Sequence, residues 1–418
     1  MRRLFANTAA MAAAILLTVV ILEIGLRLWP AAISHAVLAN FERPLRREIA
    51  TLLDLPLKQA RRCIAPDERS DHGPELCLIA PHMQYRQPVD PADLAAGAEA
   101  VLPHDARGFS NPPAKAERPR AAIVSVGDSF TWCTVVPPEA TFTARLETML
   151  GATTYNLGVP GVGPYEYLEI LRRFGLALEP RIVLLNIYEG NDLRDAVRFD
   201  EQRAGGVPAA EGRIRSDPDE RGSLPETVLR HSYALNFIAG STEYLVEQWR
   251  PQELDFRYEI GARGGRLLMN RGQADRDEVR YARRLLGGEI GLSLWGRVLE
   301  DFAALAAERG FVPVVAYIPA AYTANAATVS FMDPTIGPDL AAMSQAQRAY
   351  LQQRCAAHQL TWIDLTEPIQ AAMAKSDLAY FPYNLHLTQA GHEIVAAALA
   401  PKLRELLAAP AAASLSSQ

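Results

Sequence analysis

The stretch Ala121–Thr134, AAIVSVGDSFTWCT, decides how this chain is interpreted. Residues 121–126 are almost wholly apolar, which is typical of a buried strand. Gly127, Asp128 and Ser129 follow at once, and a helix-like segment comes next. One interpretation is an ordinary strand-to-helix turn, with the glycine in the turn and the acid or the serine as the N-cap. The other is a nucleophilic serine at the carboxyl end of a parallel strand, where α/β sheets place their chemistry.

The rest of the chain alternates strand-like and helix-like segments. After residues 121–126 the pattern predicts strands at TTYNLG, RIVLLNIY, FVPVVAYIP and TWIDLT, with helices between them. Such alternation predicts an α/β fold, in which a central parallel sheet of about five strands is covered by helices on both faces. We expect this domain to span 119–410, with an insertion at about 198–277 that is rich in Gly, Pro and charge. Residues 31–118 read as a stem of short helical pieces and Pro-rich connectors.

Composition limits the class of protein. The chain has 418 residues, 49% of them hydrophobic, which is enough to bury a large core. The formal net charge is −6, and no Lys/Arg-dense face is apparent, so nucleic acid is not expected as a partner.

Residues 1–30 differ from the remainder of the chain. From Leu4 to Leu22 the only polar side chains belong to one Asn and two Thr, and two arginines precede this run. About twenty apolar residues cross a bilayer as a helix, so we predict an N-terminal transmembrane signal anchor. A cleaved signal peptide ending near ISHA (33–36) is the alternative, although charged residues and a tryptophan occupy the region before it. The expected location is the inner (cytoplasmic) membrane, single-pass, with the domain facing the periplasm or exterior.

The cysteines and histidines give no metal-ligand spacing. Cys63 and Cys77 bracket a polar stretch and are predicted to close a loop in an oxidising compartment. Cys133 and Cys355 lie in amphipathic segments and are expected to be buried as small apolar side chains. His392 follows the other C-terminal histidine by six residues, not four, so a hydrogen-bonded helix residue is expected there. Neither a metal nor a cofactor is predicted.

Three further segments place polar residues at predicted strand ends or turns. YNLGVPGVG contains Gly161, YEGNDLRD places Asn191 after a buried strand, and YFPYNLHLTQAGH sets Asn384 and His386 before the last helix. Singly, these are a turn glycine, a helix cap and a turn histidine. Together with Ser129 they offer a hydroxyl, a backbone N–H, an amide and an imidazole, which are the groups that serine attack on a carbonyl requires.

This set of segments resembles the SGNH (GDSL-type) hydrolase family. GDSF matches its first block, NLGVPG the second, GND the third and NLHLTQAGH the last, and DARGFSNP resembles the lead-in of membrane-anchored bacterial members. The resemblance implies a three-layer α/β/α fold and the hydrolysis or transfer of acyl esters. It also implies that Ser129 is the nucleophile and His386 the base, with an oxyanion hole from the N–H groups of Ser129 and Gly161 and the Nδ2 of Asn191. Asp128 would support the nucleophile turn.

One departure concerns the third catalytic residue. The family usually carries an Asp two or three residues before the histidine, where this chain has Asn384 and Tyr383. An Asn can accept the imidazole N–H but cannot pair with the imidazolium charge. Either a Ser–His–Asn arrangement functions, or an acid from elsewhere replaces Asp, or the enzyme is slow, or the fold is retained for binding alone.

Three functions are therefore open at the sequence level. The first is an extracytoplasmic esterase that removes small acyl groups, such as acetyl, from a surface or exported glycan. The second is an O-acetyltransferase that passes the acyl group to a sugar hydroxyl, as the alginate-type acetyltransferases related to this family do. The third is a catalytically weakened module that binds a glycan or a protein partner. The expected partners are an acylated glycan or small ester and, through the N-terminal helix, the membrane.

Overall fold

A computed structural model of the chain describes residues 2–33, 37, 41, 45, 48–49, 52, 61–64, 76–79, 84–88, 99–112, 115, 118–133, 136–203, 231–249, 258–262, 265–268, 273–375, 379–381 and 385–409. The strands are β1 (Arg61–Ile64), β2 (Leu76–Ile79), β3 (Gln84–Pro88), β4 (Glu99–Pro103), β5 (Ile123–Val126), β6 (Thr154–Asn156), β7 (Ile182–Tyr188), β8 (Tyr258–Ala262), β9 (Gly265–Leu268), β10 (Val312–Ile318), β11 (Val329–Phe331) and β12 (Thr361–Asp364). The α-helices are α1 (Arg2–Leu28), α2 (Ser129–Trp132), α3 (Phe142–Leu150), α4 (Pro164–Ile170), α5 (Asp192–Arg203), α6 (Tyr233–Trp249), α7 (Gln273–Leu286), α8 (Ser293–Arg309), α9 (Ala321–Ala324), α10 (Ile336–Ala357), α11 (Thr366–Met373) and α12 (Gln389–Ala408).

The chain divides into two compact units. Met1–Lys58 and Ile214–Glu253 form the first, and Gln59–Arg213 and Leu254–Gln418 form the second. Part of the predicted insertion therefore groups with the N-terminal helix, while the boundaries predicted for the stem and the insertion stay predictions.

The second unit is built on a five-stranded sheet in the order β12-β10-β7-β5-β6. Every neighbouring pair in it is parallel. All seven residues of β7 are buried, so helices cover both faces at the centre of the sheet. The predicted α/β fold with a central parallel sheet is confirmed, including each of the five predicted strands.

The last helix also begins where the sequence predicts. Thr388 is its N-cap, and its hydroxyl accepts the N–H of Gly391 at 3.0 Å. A Cβ at position 391 would lie 2.1 Å from the carbonyl oxygen of Ala379, so only glycine fits this close approach. The loop that precedes α12 is thereby held against the body of the unit.

The prediction of helical pieces in the stem is wrong for its second half. There β1 pairs with β2 and β3 with β4, both antiparallel. Short segments such as QYRQP and EAVLP adopt the extended form through pairing with a partner strand, which a local helical pattern does not reveal. In β1 and β2, Cys63 and Cys77 are directly opposite each other, and their predicted disulfide stays a prediction.

The first unit contains α1 and α6. The last turn of α1 packs on α6, where Leu26 is buried with Tyr233 and the guanidinium of Arg27 lies 4.7 Å from the centre of the Tyr233 ring. Glu23 accepts the N–H of Ala234 at 2.9 Å. Over the described residues, no helix combines the length and apolar character that a bilayer crossing demands.

Candidate active site

The turn after β5 is a capped strand-to-helix turn that also places Ser129 at the carboxyl end of the strand. Asp128 is the N-cap of α2, and its Oδ1 accepts the N–H of Phe130 at 2.9 Å. A Cβ at Gly127 would lie 2.1 Å from Oγ1 of Thr131, which explains the glycine at this tight turn. Ser129 is the first residue of the helix and is half-buried at the carboxyl end of the sheet.

Ser129 and His386 are in direct contact. The Nε2 of His386 lies 2.9 Å from the Oγ of Ser129, within the reach that proton transfer requires. The two residues are 257 positions apart and meet because Ser129 begins α2 at the end of β5, while the loop that carries His386 is fastened near the end of β10. Of the predicted site residues, the structure brings the proposed nucleophile and base together.

The loop that carries His386 is anchored at both ends. Tyr380 forms a bridge with Leu387, and the Tyr380 hydroxyl donates to the carbonyl of Pro319, just after β10, at 2.8 Å. Phe381 donates its N–H to the carbonyl of His386 at 2.9 Å. Asn384 lies outside the described residues, so its predicted role as the partner of the imidazole stays a prediction.

Two aromatic rings that sequence reasoning missed support the base. Phe130, the residue after the nucleophile, stacks on the His386 ring with centroids 4.7 Å apart. Its opposite face stacks on Tyr188, the last residue of β7, at 3.6 Å. Because both faces of Phe130 are covered, the imidazole lies against a fixed surface and its rotamers are restricted.

The predicted oxyanion hole draws on Gly161 and Asn191. Gly161 is exposed in a turn with φ of 74°, a conformation that favours glycine. The Nδ2 of Asn191 donates to Oδ2 of Asp195 at 2.9 Å. This bond engages one of the two N–H groups of the amide, and the predicted role of Asn191 as an oxyanion donor stays a prediction. The spacing of Asn191 and Asp195, four residues apart in NDLRD, was the sequence signal for this contact.

Buried carboxyl groups lie beneath the nucleophile turn. Burial raises the pKa of Asp128 to about 7, against the opposing effect of its hydrogen bonds from Phe130 and Asn191. Burial, and next the charge of Asp128, raise the pKa of Asp192, which accepts from the Tyr167 hydroxyl at 2.6 Å. The two neighbouring acids therefore bind a proton more readily than isolated carboxyl groups would, and Asp128 supports the turn through its hydrogen bond from Phe130.

A chain of hydrogen bonds links residues 105–111 to the nucleophile helix α2. Asp105 accepts from Asn111 Nδ2 at 3.1 Å and from the Tyr155 hydroxyl at 2.5 Å. Asn111 Oδ1 accepts the N–H of Asn156, whose own Nδ2 donates to the carbonyl of Thr131 in α2. Residues 105–111 are thus linked to the nucleophile helix through β6, and the adjacent His104 accepts directly from the indole N–H of Trp132 in α2 at 2.9 Å.

Two residues considered at the sequence level have structural roles. His392 is buried, and its Nδ1 accepts the N–H of Phe142 at 3.2 Å, as predicted for a hydrogen-bonded helix residue. Cys133 is buried directly after α2. In the part of the chain that the structure describes, no three His, Cys, Asp or Glu residues form a group suited to a metal ion.

Comparison with known proteins gives distant structural similarity only. No family model matches the sequence, and no curated protein matches it. Similar solved structures include an acetylxylan esterase from Geobacillus stearothermophilus, at 15% identity over 71% of this chain and 99% of that one, with a TM-score of 0.34. Another is the lipase/acylhydrolase from Enterococcus faecalis, at 16% identity over 68% and 95% of the two chains, with a TM-score of 0.31. These identities and TM-scores are low, so the geometry of the site is the stronger indication of function.

Proposed function

We propose that this protein is a serine esterase of the SGNH type that removes small acyl groups, such as acetyl, from a glycan. The observation that carries the proposal is the 2.9 Å contact between Ser129 Oγ and His386 Nε2. Both side chains are half-buried, so the pair is accessible to a substrate while being held by its surroundings. A purely structural serine and histidine would not need this pairing at the carboxyl edge of a parallel sheet.

In the reaction, the neutral imidazole carries its proton on Nδ1, so Nε2 is free to accept the proton of the serine hydroxyl. Ser129 Oγ then attacks the ester carbonyl carbon, and the carbonyl oxygen becomes an oxyanion. Collapse of this intermediate breaks the ester C–O bond, and His386 returns the proton to the departing sugar oxygen. The acyl group is now an ester of Ser129. Water attacks it in a second round of the same proton transfers and releases the carboxylic acid.

The oxyanion would be stabilised by the N–H groups of Ser129 and Gly161. Asn191 can contribute as well, because its Nδ2 carries two hydrogens and only one of them is engaged by Asp195. We propose that the second N–H donates to the oxyanion, while the bond to Asp195, whose carboxylate is also paired with Arg194, holds the amide in place.

The test combines covalent labelling with product analysis. A fluorophosphonate probe should label the purified protein at Ser129, as mapped by mass spectrometry, and should leave Ser129→Ala unlabelled. Ser330→Ala, which changes an exposed serine, is the matched control and should label like wild type. Failure of Ser129 to label, together with no acetate release from an acetylated oligosaccharide, would refute the esterase. Appearance of acetylated acceptor in place of free acetate would instead identify an acetyltransferase.

We further propose that the domain works outside the cytoplasm, attached to the inner membrane through α1. The apolar run after two arginines supports this location, as do the exposed large apolar side chains between Met11 and Ile24. C-terminal reporter fusions should be active only as periplasmic enzymes such as alkaline phosphatase. Activity of cytoplasm-specific reporters alone would contradict the proposal.

A further inference from the structure

A cavity lies among the segments that follow β10 and β12 in the second unit. It has a volume of about 340 Å³ and is lined by residues of α9, β11, α10 and α11. Its mouth carries exposed small residues such as Ala326 and Ala341, whereas Tyr322 and Ser344 on its wall are buried. The volume is at the lower end of small-molecule sites, which suits one compact ligand unit.

The wall of the cavity combines aromatic surface with polar groups. Phe331 is half-buried, and its ring centroid lies 6.3 Å from that of Tyr322. Two of the lining residues, Tyr322 and Arg348, each have a buried polar atom, the hydroxyl and the Nε respectively, with no hydrogen-bond partner among the described residues. Burying such groups unpaired costs about 1–3 kcal/mol each, so a ligand with hydroxyl groups would relieve a cost that an alkyl chain would not.

The charges around the cavity disfavour an anion. The Nη1 of Arg348 already lies 3.5 Å from Oδ2 of Asp364. Burial raises the pKa of the Tyr322 hydroxyl well above its usual value, and the nearby carboxylates of Glu278 and Glu189 add to that effect. Arg348 is the one charged residue in the described lining of this cavity, and its contact with Asp364 offsets part of its charge, so an anion would find no unopposed cation here. A neutral, hydroxyl-rich ring with an apolar face fits both the charges and the aromatic wall.

The cavity is connected to the loop that carries Asn191. Thr323, on the cavity wall, donates its hydroxyl to Oε1 of Glu189, and Ala320 donates its N–H to Oε2. Glu189 is two residues before Asn191, and β7 and β10 are adjacent in the sheet. With strands spaced about 4.8 Å apart, the end of β10 lies roughly 10 Å along the edge from the end of β5.

We infer that this cavity is a sugar-binding subsite, in which one neutral pyranose unit of the glycan binds against Phe331 and Tyr322 while an acylated unit of the same chain reaches Ser129. The inference rests on the proposed function and specifies how that site selects an oligosaccharide over a small ester. Phe331 and Tyr322 are specificity residues in this scheme and take no part in the acyl transfer.

Kinetics on two substrates test the subsite. Tyr322→Phe removes only the unpaired hydroxyl, and Phe331→Ala removes the aromatic wall; Met332→Ala, an exposed neighbour that does not line the cavity, is the control. On acetylated xylotetraose both cavity variants should raise KM about tenfold with little change in kcat, the equivalent of about 1.4 kcal/mol of binding. On p-nitrophenyl acetate they should equal wild type. Equal KM values for the cavity variants and the control on the oligosaccharide would overturn the inference.

Calorimetry on inactive protein makes the test independent of catalysis. Ser129→Ala should bind unacetylated xylotetraose, and Ser129→Ala/Tyr322→Phe should bind it about tenfold more weakly. No detectable binding of the sugar, or its displacement by decanoate or inorganic phosphate, would overturn the subsite. Absence of p-nitrophenyl acetate hydrolysis by wild type would instead refute the esterase, so the two failures are distinguishable.

Discussion

The contact between Ser129 and His386 makes a quantitative prediction about their removal. At 2.9 Å the imidazole of His386 accepts the proton of the Ser129 hydroxyl as the serine attacks. Because the attack requires both groups, removing either one should abolish most of the activity. Ser129→Ala and His386→Ala should each lower kcat/KM on p-nitrophenyl acetate by about 10⁴–10⁶-fold, or roughly 5.5–8 kcal/mol of transition-state stabilisation. The double variant should be no worse than either single one.

The assay is a double-mutant cycle on the purified proteins, with thermal unfolding recorded for each. His358→Ala is the matched control, because His358 ends α10 just before β12 and so lies at the opposite edge of the sheet. It should retain wild-type activity. Multiplication of the two single effects in the double variant, or less than a tenfold loss in His386→Ala, would refute the reasoning that the pair acts as a unit.

The remaining predictions concern support of the site and stability. Phe130→Leu should lower kcat about tenfold with KM unchanged, because the catalytic imidazole loses its stacking surface; an unchanged kcat would contradict this. Gly158→Ala should lower the free energy of unfolding by about 3 kcal/mol, because the new Cβ would lie 2.2 Å from a backbone nitrogen of α2. Gly291→Ala is the control and should leave the free energy of unfolding unchanged, because its Cβ would meet nothing closer than 3.6 Å. Burial lowers the pKa of His392 from 6.5 to about 3. Between these pH values the unfolded chain binds a proton that the folded protein does not, so stability should fall as the pH drops through this window, by at most about 1.4 kcal/mol per pH unit. The fall should be less steep in His392→Asn. Asn384→Asp should maintain or raise esterase activity, because it restores a charge beside the imidazolium; a large loss would count against the sequence-based assignment.

The strands of the central sheet could be predicted because each is visible as a short apolar run in the sequence. Buried parallel strands are continuous apolar runs, and RIVLLNIY corresponds to β7 within one residue. Helix N-caps could be predicted in the same way, and Thr388 is the N-cap of α12. The strands β1–β4 were missed because short segments of mixed polarity carry little periodicity, and only their pairing partners select the extended form.

The residues of the site that could be predicted are those whose chemical group the proposed reaction requires. Ser129 and His386 could be found from their places at strand ends and turns. Phe130 and Tyr188 could not be found in this way, because aromatic residues in a core are common and nothing local says which ring will lie over an imidazole. The bond from Asn191 to Asp195 was not anticipated, because a motif specifies a residue and not the acceptor that its side chain bonds.

The separation of nucleophile and base along the chain has a consequence for folding. The 257 positions between them make this pairing one of the most non-local contacts in the molecule, and closing so long a loop carries an entropy cost that rises with the logarithm of its length. The parallel sheet must form before Tyr380 can donate its hydrogen bond to Pro319 at the end of β10 and so position the imidazole of His386. Recovery of esterase activity during refolding should therefore lag behind recovery of secondary structure, which makes turnover a reporter of the final docking step.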